Sequence, residues 1–416
     1  MTDLQERPGP WPPPDPGRRS GPEATAEEIP KSSWVRLAVL LAVTAFVGIQ
    51  WGWWAIAVII GFVLMLFVHE LGHYLAARRA GMKVTEFFLG FGPRIWSFRR
   101  GEVQYGFKAI PLGAYVRIIG MNNLEEVPPA DEARTYRAKG YWDRFCVAVA
   151  GVAMNFALAL VLLFVALVGY GVPRADTWYV NSISPDSPAA AAGLEPSDHI
   201  LSADGQTVAT FDELTAIIRA KPGEQVTLVV ERDGEELTKV VTLAERRPDS
   251  AQRVGFLGIG PAYADEKVGA LSGVKESFTE FGRITAGSVT GLAQIFSPSG
   301  MENYANLLTG DKNADPNQRL LSPVGAVKVG TDAAETGFGR LVLLMAAINI
   351  FVGLMNLIPL LPFDGGHIAI ATYEAIRSRP GKPYRADITK LLPFSYAILA
   401  IFVVLFVGNF YLDLRL

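Results

Sequence analysis

Between Leu37 and Ala76 the only charged or imidazole side chains are His69, Glu70 and His73. At about 1.5 Å per residue, one helix over that length would be about 60 Å long, twice the roughly 30 Å hydrocarbon thickness of a bilayer. A single straight span cannot use it. In the middle stand Trp51-Gly52-Trp53-Trp54. Tryptophan favours the membrane interface and glycine permits a turn. The run is therefore predicted to be a helical hairpin, roughly 36–51 and 54–77. Its far end places three polar side chains at membrane depth, where ionisable groups are costly and usually functional.

Two further stretches, Cys146–Gly171 and Phe394–Leu412, are free of charge and are predicted to span. A fourth apolar region, Leu341–Thr372, is interrupted by Asn356-Leu-Ile-Pro-Leu-Leu-Pro-Phe-Asp-Gly-Gly-His367. Its two prolines and glycine pair break regular helix, and broken backbone is tolerated at membrane depth only where protein or a water-filled cavity lines it. This segment should face a site. Lysine and arginine are dense in the loops 78–145 and 373–393, which predicts both to be cytoplasmic. Counting spans then places the N-terminus in the cytoplasm and residues 172–337 outside it. Residues 1–33 are rich in proline, glutamate and arginine, with no apolar run of the kind a signal peptide has, and are expected to form a disordered cytoplasmic tail.

Half of the 416 residues are hydrophobic, so spans plus a sizeable water-exposed module are expected. The net charge of −3 argues against nucleic acid as a partner. The single cysteine, Cys146, excludes an intrachain disulfide and starts an apolar run, where it should pack.

Residues 178–244 have the pattern of a compact soluble domain. Trp178–Ile183, Gln225–Arg232 and Lys239–Glu245 alternate or are β-branched, as strands do. Phe211, Leu214, Ile217 and Ile218 share one face of a short helix. The stretch from Ser187 to Val208 resembles the small-residue helix and following strand of a PDZ domain, with Ser197-Asp198 where Gly-Asp is usual. PDZ domains bind extended peptides by adding a strand to a sheet edge. His199 lies here and is expected to be solvated. Residues 275–335 carry too many charges for a span; their helices suit the membrane interface, and no role is assigned to them.

On a helix, His69 and His73 project from one face, four residues apart. They can hold one metal ion, with Glu70 beside it to take a proton from water. Zinc suits the pattern: catalytic sites give it three protein ligands and an open position. Ala76 stands where a metzincin extension requires glycine, which excludes that class. The third ligand must come from elsewhere. In the broken segment the candidates are Asp364, a carboxylate on unwound backbone, and the alternative His367.

Taken together, the motifs resemble the site-2 protease family of intramembrane zinc metalloproteases. His69–His73 matches its zinc and glutamate motif. Residues 90–121 resemble its re-entrant β-hairpin, and Gly151–Asn155 its small-residue motif, with Val152 in place of proline. Asn356–His367 matches the motif that carries the aspartate ligand. The PDZ-like insert points to the bacterial PDZ-containing branch.

The resemblance implies a polytopic α-helical membrane protein with a site-2 protease core, a re-entrant β-hairpin on the cytoplasmic side, and an extracytoplasmic α+β PDZ domain. The implied division is a tail (1–33), an extra N-terminal transmembrane helix (34–53), a membrane core (54–171), the PDZ domain (172–250), a linker (251–337) and a second part of the core (338–416). His69, His73 and Asp364 would ligate zinc, with Glu70 as general base and then proton donor. Asn356 and Asn155 would hold the substrate backbone, and the hairpin near Gly90 and Gly92 would pair with an unwound substrate strand. The implied partners are single-span membrane proteins such as anti-sigma factors or signal-peptide remnants, an upstream site-1-type protease that trims them, and a peptide ligand of the PDZ domain. The competing expectations are a metal transporter and a non-catalytic zinc-binding PDZ scaffold.

Overall fold

The structure is a computed structural model that describes residues 31–121, 125–246, 253–311, 314–315, 319–379, 382 and 384–415. Most of the tail expected to be disordered therefore lies outside the described residues.

Helix α1 (Lys31–Arg79) is two arms joined at Gly52, whose φ of 77° and ψ of 169° break the helix inside the Trp51–Trp54 stretch. The arms fold back on each other: a Cβ on Gly48 would lie 2.9 Å from Ile56 Cδ1, whereas residues eight apart along a straight helix are about 12 Å apart. Strands β1 (Val84–Arg100) and β2 (Val103–Ile118) follow, then α2 (Tyr141–Phe164). Four stretches of the described residues are long and apolar enough to cross a membrane: Trp34–Arg79, Tyr141–Tyr170, Phe338–Asn356 and Pro393–Asp413.

Strands β1 and β2 are too long to stay straight. Phe87, Phe88 and Leu89 pair on one side with Val116, Tyr115 and Ala114, and on the other with Tyr105, Gly106 and Phe107. Each strand therefore bends, and four short segments lie side by side in the order 114–118, 84–89, 103–108 and 96–100. β1 bends at Gly90 and Gly92, whose φ values of 85° and 81° are left-handed conformations that suit glycine.

The insert holds β3 (Val172–Ile183), α3 (Pro188–Ala191), β4 (His199–Ala203), β5 (Gln206–Thr207), α4 (Phe211–Arg219), β6 (Gln225–Arg232) and β7 (Glu235–Thr242). It continues through β8 (Ala244–Arg246), β9 (Val254–Phe256) and β10 (Ile259–Glu266). One sheet runs β5-β4-β6-β7, while β10 pairs with β3 and β8 with β9. Trp178, Ile200, Leu214, Leu228 and Leu257 share a single buried core. Because β10 pairs with β3 and Leu257 is in that core, the folded unit runs past the expected boundary at residue 250 to Glu266.

The stretch assigned as a linker is also built in. Helix α5 (Ala270–Ile295) packs Phe281 and Ile284 against Ala159, Leu163 and Ile350. Helix α6 (Pro298–Thr309) packs Tyr304 and Leu307 against Leu405 and Leu412. In α7 (Pro323–Thr336), a Cβ on Gly330 would lie 2.9 Å from Val58. These helices lean on the apolar ones and do not merely connect them. The interrupted segment resolves into α8 (Phe338–Asn356), a turn over 357–363, and α9 (Asp364–Arg377); α10 (Leu392–Arg415) closes the chain.

Candidate metal centre

The second arm of α1 puts His69 and His73 one turn apart on the face that meets α2. Their Nε2 atoms are 3.2 Å apart. Asp364 Oδ2, at the first residue of α9, lies 3.2 Å from each of them. Both imidazoles are buried, at 7% and 8% exposure. Among the described residues these three form the one group of ligand-bearing side chains close enough to hold a metal ion.

Backbone packing makes the convergence possible. A Cβ on Gly151 of α2 would lie 2.4 Å from His73 Nε2 and 2.8 Å from His69 Nε2, so any side chain there would invade the cluster. One on Gly72 would lie 2.4 Å from the Ala150 carbonyl oxygen, so the two helices touch backbone to backbone. At the other end, a Cβ on Gly365 would come within 2.3 Å of the Ile358 carbonyl oxygen. The glycine pair therefore lets the 357–363 turn fold tightly over the start of α9, which sets Asp364 at its tip.

His73 Nδ1 lies 2.7 Å from the Val147 carbonyl oxygen. A carbonyl only accepts, so Nδ1 carries the proton and Nε2 presents a lone pair. Three donor atoms about 2.0–2.2 Å from a tetrahedral zinc ion are separated by about 3.3 Å. The observed triangle of 3.2 Å sides fits zinc, as does its composition of two imidazoles and one carboxylate.

Glu70 is held from the other side. Its Oε2 accepts the Val116 backbone N–H of β2 at 3.1 Å. That N–H is therefore not spent on the neighbouring strand, and the 114–118 segment turns its outer edge to Glu70.

The other expected residues lie in different settings. His367 is on α9, edge-on to Tyr136 with ring centroids 6.1 Å apart, and is not part of the cluster. Geometry therefore favours Asp364 over His367 beside the two histidines. Asn155, one turn after Gly151, is fully buried, and neither atom of its amide has a protein partner. Asn356 donates Nδ2 to the Val352 carbonyl of its own helix at 3.2 Å. Gly90 is bent against the backbone: its Cβ would lie 2.7 Å from the Ile110 carbonyl oxygen. With Gly92 it shapes the sheet, and the free edge beside Glu70 belongs to β2. Sequence reasoning missed the Val116 N–H and the Val147 carbonyl, since backbone groups leave no residue signature. It noted Gly151 only as part of a small-residue motif.

Residues 57–402 match Peptidase family M50. The chain is 35% identical over 389 residues to zinc metalloprotease Rip1 of Mycobacterium tuberculosis (strain H37Rv), covering 84% of this chain and 93% of that protein. It is 31% identical over 384 residues to Rip1 of Mycolicibacterium smegmatis, covering 83% and 92%. A putative zinc metalloprotease of Rhizobium meliloti is 30% identical over 358 residues, covering 81% and 91%. Among solved structures, the PDZ domain of the SdrC-like protein of Listeria monocytogenes covers 21% of this chain and 90% of that one, at 23% identity and a TM-score of 0.19.

Proposed function

The chain belongs to Peptidase family M50 and is a zinc metalloendopeptidase of the membrane, and from that premise we propose which residues do the chemistry and what they cut. The observation that carries the proposal is the 3.2 Å triangle of His69, His73 and Asp364 at the end of an apolar arm. Zinc held there would supply a Lewis acid and a water whose pKa is lowered to about 7. Glu70, oriented by the Val116 N–H, would take a proton from the attacking water as the water oxygen bonds to the scissile carbonyl carbon. It then delivers the proton to the amide nitrogen as the C–N bond breaks. Water is consumed, and one carboxyl and one amino end are released.

The substrates are single-span membrane proteins. A helix in lipid spends its amides on itself, so it must unwind before attack. The outer edge of β2 beside Val116 offers replacement hydrogen bonds by strand addition. Asn155, buried with its amide unsatisfied, supplies a further donor and acceptor for substrate backbone, and Asn356 at the end of α8 another. The β-sheet re-enters the membrane from the cytoplasmic side, and the insert stands outside the cytoplasm. There the PDZ-like domain acts as a steric gate, excluding substrates whose outer domain a first protease has not yet removed. A scaffold or a transporter has no use for a carboxylate clamped beside the metal ligands.

The test uses purified protein in nanodiscs with one single-span substrate, with and without its ectodomain. Wild type should carry zinc and cut the trimmed substrate inside its span, and Asp364→Ala should lose both zinc and cleavage. Deleting residues 172–266, the whole folded insert, should leave zinc bound and admit the untrimmed substrate. Slower cleavage of trimmed substrate after deletion would instead show that the insert recruits. No cleavage by zinc-loaded wild type would overturn the peptidase reading for these substrates.

A further inference from the structure

The first arm of α1 takes no part in the cluster, and the M50 match begins after it, at residue 57. It nevertheless closes a cavity of about 450 Å³ against the second arm and the sheet. That size falls within the roughly 300–1,000 Å³ of small-molecule sites. Trp34, Leu37 and Leu40 of the first arm, Val63 of the second, and Leu89 and Lys108 of the sheet all line it.

The lining is almost wholly apolar, and Lys108 is its one charge. The Lys108 amine lies 5.1 Å from the Phe88 ring centroid and 4.7 Å from that of Tyr115. Among the described residues no carboxylate pairs with it. Arg36 stands between Trp34 and Leu37 and reaches the sheet, donating Nη1 to the Arg94 carbonyl at 2.6 Å. Arg94 is directly across the ladder from Lys108. Lys108 thus lines the cavity, and Arg36 is tied to the residue across the ladder from it, in the company of Trp34 and Trp96, which are 64% and 41% exposed. Exposed tryptophan beside basic residues is the composition of the headgroup level of a membrane protein.

We propose that this cavity holds an acyl chain of an anionic phospholipid whose phosphate is met by Lys108 and Arg36. A peptide is a poorer occupant, because its backbone would bring N–H and C=O groups that this lining cannot satisfy. An acyl chain brings none, and basic pockets beside membrane helices match anionic headgroups. The first arm, which adds nothing to the chemistry, is thereby given a binding role. The proposal is independent of what the metal cluster cleaves.

The experiment reconstitutes the full chain in vesicles of equal phosphatidylglycerol and phosphatidylcholine, extracts it in mild detergent, and identifies retained lipid by native mass spectrometry. Wild type should retain phosphatidylglycerol in preference to phosphatidylcholine. Lys108→Gln should lower that preference about fivefold, the effect of one basic charge at a membrane surface. Leu40→Trp, which fills the cavity, should abolish retention of either lipid. Equal retention of both lipids by wild type, or retention indifferent to both substitutions, would overturn the proposal. So would a photo-crosslinker at residue 40 that labels a co-reconstituted single-span substrate and not lipid. Should Leu40→Trp fail to fold, the Lys108→Gln ratio decides alone.

Discussion

Asp198 of the insert and Asn155 of the membrane core are both fully buried, yet they are treated in opposite ways. Asp198 accepts Arg232 Nε at 2.6 Å, Arg232 Nη2 at 2.8 Å and the Glu195 N–H at 2.8 Å. Asn155 has no protein partner for either amide atom, and His69 Nδ1 has none either. In the insert, among the described residues, only the indole nitrogen of Trp178 is buried without a partner. The two regions are also packed differently. The insert closes around large side chains such as Trp178, Leu214 and Leu228. The core helices meet through glycines: Gly72 against Ala150, Gly151 against the histidines, Gly353 against Phe156. Lipid gives apolar side chains little reason to cluster, so close backbone approach has to do that work. Satisfied polar groups hold a shape, whereas unsatisfied ones beside a ligand triangle remain open to a metal and a substrate.

The sharpest way to break this comparison is at Gly151. Gly151→Val puts carbon where His69 and His73 place their Nε2 atoms, so the ligands must move. Zinc affinity, measured by chelator competition, should fall about 100-fold or more, at or beyond the upper range for residues that support metal ligands. Asp198→Asn in the same assay should leave zinc affinity unchanged. Equal effects of the two substitutions would mean that the core and the insert are not separate in the way described.

A smaller effect sharpens the other half. Burial pushes the Asp198 carboxyl up, but the Arg232 guanidinium and the Glu195 N–H outweigh it and hold the folded-state pKa below the ordinary value. A depressed carboxyl adds stability that is fully present above the unfolded pKa of about 3.9 and is lost as pH falls through the folded value. Protection of the insert against hydrogen exchange, taken relative to the intrinsic exchange rate at each pH, should therefore be flat near neutrality and fall in acid below about pH 4. Asp198→Asn should weaken protection near neutrality and remove that acid limb.

The smallest effect is at Ser197, which has a φ of 77°, a left-handed conformation that suits glycine. A side chain in the left-handed region costs about 1 kcal/mol. Ser197→Gly should stabilise the insert by about that much in a chaotrope titration. No change would mean that the hydroxyl compensates for the strain.

These positions also show what the sequence could and could not convey. The reversal at Gly52 was legible because an apolar run twice the bilayer thickness, polar only near its far end, has to turn somewhere, and tryptophans marked the place. The histidine pair was legible because four-residue spacing fixes two side chains on one helix face. The convergence of Asp364 on that pair bridges 291 residues from His73 and leaves no periodicity, so spacing alone does not separate Asp364 from His367; the turn over 357–363 does. The folding of β1 and β2 into four segments depends on bends at Gly90 and Gly92 that hydrophobic alternation does not encode. The insert ran past residue 250 because β10 pairs with β3, a contact between the two ends of the domain. Helices α5 to α7 have polar faces that hid their packing against the spans.

Glu70 is beside the ligands without belonging to them, so it separates metal binding from proton transfer. The measurement is zinc content and cleavage of one trimmed single-span substrate, in parallel, for wild type and Glu70→Gln. The amide keeps the shape and can still accept the Val116 N–H, but it cannot take up a proton. Zinc should remain bound, and cleavage should fall by about 10²- to 10⁴-fold, the usual contribution of a general acid–base group. Cleavage by Glu70→Gln at the wild-type rate would contradict the account.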